Sequence, residues 1–207
     1  MTYKIKIFIA FYLIMSLSSI SNSYGQINRD DTAVLRTFLE SRPIVYVDTV
    51  DGSINDLTYR LNIMLAKAAI TDIRTNNRNK LILTKTEKAY LRANVGKKTV
   101  WGKDLFPDAK CITSDSMRPY LRNEIITARV KIEKALANKD TVTLREIRAN
   151  RAYVFYFTKP IYLRNKTLCF ITCVALCGPE CGHSQTCFLK KENNEWHTLV
   201  VVSAGEF

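Results

Sequence analysis

The sequence predicts an α+β fold in which N-terminal amphipathic helices pack on a C-terminal antiparallel β-meander. Three observations predict it. Apolar residues recur at helical spacing through much of the chain before Tyr153. From Tyr153 onward the composition turns to aromatic and β-branched residues, broken by short polar turns. Five of the six cysteines, Cys169, Cys173, Cys177, Cys181 and Cys187, fall in that second part.

Residues 1–25 have the make-up of a secretory signal peptide. Lys4 and Lys6 give a positive start, Ile7 to Leu17 is an apolar run, and Ser23-Tyr24-Gly25 offers small residues at a cleavage site before Gln26. The run is shorter than the roughly 20 residues of a spanning helix. The expectation is therefore a periplasmic or secreted protein that does not span a membrane after processing. Residues 26–207 then form one α+β domain, with a helical part over about 26–150 and the meander over about 151–207. Loss of Lys4 and Lys6 lowers the net charge from +12 to +10. Such a charge suits an anionic envelope component or an acidic protein partner, and export argues against nucleic acid.

The elements follow in order. Asp30 to Leu39 reads as a short helix with Val34, Leu35, Phe38 and Leu39 on one face, stopped by Pro43. Ile44 to Val50 alternates as a strand ending at Asp51-Gly52. Ser53 and Asp56 stand in capping-box positions before a helix striped by Ile54, Leu57, Leu61, Met64 and Ala68 and reaching about Asp72. Lys80 to Thr84 is a short strand. Thr84 and Glu87 form a second capping box, opening a helix that ends near Gly96. Trp101, Leu105 and Phe106 pin the loop that follows to the core. A third helix starts near Pro119. Leu121, Ile125, Ala128, Ile132 and Leu136 are its apolar stripe, and Arg122, Arg129, Lys131 and Lys134 its solvated face. Asp140 to Asn150 is ambiguous between helix and strand. Tyr153–Phe157, Leu168–Cys177, Thr186–Lys191 and Trp196–Val202 are the four strands of the meander.

The odd-numbered Cys169, Cys173 and Cys177 share one face of a strand. A hairpin centred near Glu180 sets Cys173 opposite Cys187 and Cys177 near His183. All six cysteines, Cys111, Cys169, Cys173, Cys177, Cys181 and Cys187, are candidates for disulfides in an exported protein. Sequence alone leaves the connectivity open. The favoured set pairs Cys173 with Cys187, Cys177 with Cys181 and Cys111 with Cys169. Competing readings are a zinc site built from Cys173, Cys177, Cys181 and Cys187 or with His183, and buried cysteines acting as small hydrophobes.

Other chemistry is thin. Phosphate loops, dinucleotide-binding glycine patterns, H-E-x-x-H and the nucleophile elbow are missing from a chain with seven glycines and two histidines. No catalytic, cofactor-binding or metal-binding residue is assigned, and no cofactor is expected. Asn165-Lys166-Thr167 matches a glycosylation sequon. The triplets at Asp31, Asp48, Asp115 and Asp140 match a short bacterial O-glycosylation pattern.

Lys159-Pro160-Ile161-Tyr162-Leu163-Arg164-Asn165, Cys177-Gly178-Pro179-Glu180-Cys181-Gly182 and Lys190-Lys191-Glu192-Asn193-Asn194-Glu195-Trp196 together resemble a group of uncharacterised exported bacterial proteins. The resemblance implies a structural cysteine pair at Cys177 and Cys181 and implies no activity. Cys169, Cys173 and Cys187 stand where that group carries aromatic or aliphatic residues. The functional expectation is a non-catalytic structural or binding domain of the cell envelope. The alternatives are an exported hydrolase or thiol-dependent enzyme using the Cys177–His183 turn, or a structural zinc-binding domain.

Overall fold

The computed structural model describes residues 29–39, 44–51, 57–75, 79–178 and 180–206. Among them are five helices and a large mixed sheet. Residues 1–25, the Pro43 stop, Gly52 and the Ser53–Asp56 capping box lie outside the described residues.

The helices are α1 (Arg29–Arg36), α2 (Leu57–Ala66), α3 (Lys85–Asn94), α4 (Ser114–Ala137) and α5 (Thr141–Ala149). The capping box at α3 forms as the sequence predicts: Glu87 N–H donates to Thr84 Oγ1 at 3.1 Å and Thr84 N–H to Glu87 Oε2 at 2.7 Å. Gly96 follows with φ 82°, a conformation that needs no Cβ. Two helices start or stop away from their expected ends. α2 stops at Ala66, short of Asp72, because Ile70–Thr71 (β3) pairs with Lys80–Leu81 (β4). α4 begins at Ser114, ahead of Pro119, because Thr113 caps it by accepting from Ser116 N–H. Asp140 caps α5 in the same way through Thr143, which resolves the ambiguous stretch as helix.

The main sheet contains β1 (Val45–Val47), β6 (Lys110–Ile112), β7 (Val154–Phe157), β8 (Ile161–Leu163), β9 (Leu168–Gly178), β10 (Cys181–Glu192) and β11 (Glu195–Glu206). Its order is β11-β10-β9-β7-β1-β6, with β8 also on β9. The four strands expected for the meander are neighbours and antiparallel. The sheet does not end there. β1 runs parallel to both β6 and β7, which makes it mixed and not a pure meander. β7 and β8 lie along successive parts of β9, with Pro160 between them and Thr158 N–H donating to Thr172 O. β2 (Thr49–Val50) and β5 (Thr99–Val100) form a separate small pair.

β9 is apolar nearly throughout and buried along almost its whole length, as a central strand covered on both faces must be. On one face Cys169, Ile171, Cys173 and Ala175 join Val34 and Leu35 of α1 with Trp101, Leu105 and Phe106. On the other, Leu168 and Phe170 join the α2 and α3 residues Leu61, Leu65 and Leu91. Val45, Val47 and Val154 meet Leu121 of α4 further along. Trp101 pins its loop as expected, with its indole N–H donating to Phe157 O at 2.9 Å.

Candidate functional site

The β9–β10 hairpin holds the cysteines, and its register decides their chemistry. The closing pair is Gly178 with Cys181, and His183 lies opposite Ala175, Gln185 opposite Cys173 and Cys187 opposite Ile171. The centre of the hairpin therefore sits one residue earlier than expected. Beyond an irregularity between Cys181 and Gly182 every partner moves by two positions, so face identity survives while the pairs change. Cys187 becomes a diagonal neighbour of both Cys169 and Cys173 and bonds to neither.

One disulfide forms among the described residues, Cys177–Cys181, with Cα atoms 5.1 Å apart. Cys111, Cys169, Cys173 and Cys187 are free, so the Cys173–Cys187 and Cys111–Cys169 pairings are corrected. Cys111 lies on β6, separated from β9 by two strands, β7 and β1. The three β9 and β10 thiols are buried in the apolar core. Burial first, and then Cys187, raises the pKa of Cys169 and Cys173, and burial pushes that of Cys187 up to about 12. Such thiols stay protonated and pack as small hydrophobes. Cys111 is half-buried and also raised, chiefly by burial.

The alternative chemistries depend on the same residues. Two thiols of the zinc reading are consumed by the disulfide. Among the described residues no group of three or more His, Cys, Asp or Glu side chains is placed to hold a metal ion. His183 is exposed and packs edge-on against Tyr153 at 5.7 Å between ring centroids. The sulfur that a Cys177–His183 nucleophile requires is tied up in the disulfide. Arg151, a residue with no sequence signal, instead reaches the sulfurs: its Nη1 lies 3.0 Å from Cys181 Sγ and 4.0 Å from Cys177 Sγ.

A shallow cleft opens between α2 and the sheet, lined by Leu61, Met64, Thr172, Ser184, Thr186 and Ser203 among others. It spans ≈ 410 Å³ including open solvent. The Thr172 and Thr186 hydroxyls bond each other across the strands at 3.0 Å, and Arg60 Nη1 donates to Ser203 Oγ at 3.2 Å.

The largest departure from expectation is on α4. Of the expected stripe only Leu121 is fully buried; Ile125, Ile132 and Leu136 are 41, 36 and 59% exposed. Ile126 and Val130 add 52 and 61%, and Val142 of α5 adds 63%. The exposed Arg118, Arg122 and Arg129 interleave with these aliphatics, and Arg129 pairs with Glu133. α4 is held to the sheet near Leu121 and Gly178, where a Cβ on Gly178 would come 3.2 Å from Ile125 Cδ1. No helix among the described residues is long and apolar enough to cross a membrane. Comparison with protein-family models, curated proteins and solved structures found no match.

Proposed function

We propose that the chain is an exported, non-catalytic binding module, one domain over residues 26–207, whose α4–α5 hairpin docks on an anionic lipid surface. The observation that carries this reading is the exposed aliphatics of α4, Ile125, Ile132 and Leu136 on one stripe and Ile126 and Val130 on the next, with Arg122 and Arg129 between the two. Contiguous exposed apolar patches mark interaction surfaces. Aliphatics beside Arg and Lys on one helix are the pattern that seats a helix in the headgroup region. Each such side chain gains about 1.5–3 kcal/mol when fully buried, so half-exposed ones have about 1 kcal/mol each left to gain. Each nearby cation adds about 1 kcal/mol at an anionic surface. The leader-like residues 1–25 and the Cys177–Cys181 disulfide support export, since disulfides persist in oxidising compartments.

The test is co-sedimentation of the purified protein with vesicles of zwitterionic lipid alone or mixed with anionic phospholipid. Binding is expected on the anionic vesicles, weaker at high salt, and lost in an Ile126→Ser/Val130→Ser variant with an unchanged circular dichroism spectrum. Failure to bind anionic vesicles, or equal binding by the folded double variant, overturns the proposal.

A further inference from the structure

The turn that joins β9 to β10 carries a chemistry separate from the α4 face. Cys181 is half-exposed while Cys177 is buried beneath it. Arg151 leads from α5 into β7 and sets its guanidinium against both sulfurs, closer to Cys181. Among the described residues it makes no ion pair with a carboxylate. A neutral disulfide gains little from a cation, whereas a thiolate gains a charge-assisted hydrogen bond. The arginine therefore favours the state in which the bond is open and Cys181 carries the charge. Among the described residues no such cation contacts the thiols of Cys169 and Cys173, which share the same strand.

We propose that Cys177–Cys181 is a thiol–disulfide exchange site, reduced by a dithiol, with Arg151 holding the Cys181 sulfur as a thiolate. A donor thiolate attacks the half-exposed Cys181 sulfur. The S–S electron pair passes to Cys177, which takes up a proton from solvent. The donor's second thiolate then attacks the donor sulfur of the mixed disulfide and expels Cys181 as a thiolate against Arg151. The donor leaves as a disulfide, having given up two electrons. Of its two protons one is balanced at Cys177 and the other is released. The exchange opens the covalent tie across the hairpin turn beside Gly178, where α4 rests on β9.

Dithiothreitol serves as the donor, with iodoacetamide labelling of the folded protein read by peptide mass spectrometry. Cys177 and Cys181 are expected to become labelled while Cys169, Cys173 and Cys187 do not. Labelling of Cys181 at pH 7 is expected to fall about tenfold in Arg151→Met, the change that one pKa unit makes in thiolate fraction, and to recover largely in Arg151→Lys. Labelling of the wild-type protein should also slow as salt screens the guanidinium, a reading that holds even if Arg151→Met fails to fold. A disulfide that resists dithiothreitol until the protein unfolds overturns the proposal. So does a Cys181 labelling rate indifferent to both salt and the Arg151 substitutions.

Discussion

Trp101 and Trp196 are each 6% exposed, and they differ in one respect that can be measured. The Trp101 indole N–H donates to the buried carbonyl of Phe157 at 2.9 Å, whereas the Trp196 indole N–H has no partner among the described residues. Replacing each with phenylalanine removes a similar amount of ring, so the cavity costs are comparable. Trp101→Phe additionally strips a hydrogen bond from a buried carbonyl, a loss of about 1–3 kcal/mol. Trp196→Phe removes a buried donor that makes no bond, which offsets part of its packing loss. The expected gap is therefore about 1–2 kcal/mol, with Trp101→Phe the less stable, or about 2–8 °C in Tm for a domain of this size. Urea unfolding of the oxidised protein, followed by circular dichroism, measures it. Each variant keeps one of the two tryptophans, whose fluorescence supplies a second probe of two-state behaviour. A Trp196→Phe variant as destabilised as Trp101→Phe would refute the reasoning, and so would a Trp101→Phe variant indistinguishable from wild type.

Further outcomes follow from the polar groups of the core. Asp72 is fully buried and accepts from Arg74 through the backbone N–H, Nε and Nη2, and those bonds hold its carboxyl below the usual range. Its folded value lies below its unfolded one, so its stabilisation is present above about pH 4 and is lost as pH falls through the folded value. Asp72→Asn should cost about 1–2 kcal/mol at pH 7 with Arg74 half-exposed, and the gap from wild type should close in acid titrations of urea unfolding. The oxidised protein should show one disulfide and four thiols by mass, with Cys169, Cys173 and Cys187 alkylating only in denaturant; three disulfides would contradict the hairpin register. Tyr162→Phe removes a 2.7 Å hydrogen bond to the buried Asp31 of α1, and chemical denaturation should show a loss of about 1.5–3 kcal/mol.

Much of the local structure is legible in the sequence because its causes are local. Thr84 and Glu87 are three residues apart and bond each other, so the start of α3 can be read directly. Asn193 and Asn194 both take positive φ, which lets Glu192 pair with Glu195 across a tight turn. The parallel strands are another matter. β6 has three residues, and its pairing with β1 joins segments more than sixty positions apart, Val45 with Lys110. β8 hides behind Pro160, which sets it off from β7. Arg151 could not be singled out because its role depends on the turn at Cys177–Cys181 arriving beside it.

The cysteines and α4 share one lesson about periodicity. A period of two places Cys169, Cys173 and Cys187 on a common face, and the structure keeps them there; which atoms meet depends on where the hairpin closes, and a one-residue change at Gly178–Cys181 turns expected bonds into diagonal neighbours. A period near 3.6 aligns Leu121, Ile125, Ile132 and Leu136 equally well whether the sheet covers them or not. Coverage is set by the reach of α4, whose 24 residues extend about 36 Å against a sheet that it touches near Leu121 and Gly178. The aliphatics beyond that contact have no core to enter. Keeping them beside Arg118, Arg122 and Arg129 costs the free chain exposed apolar surface, and a surface carrying negative charge offers both the burial and the counter-charge that would offset it.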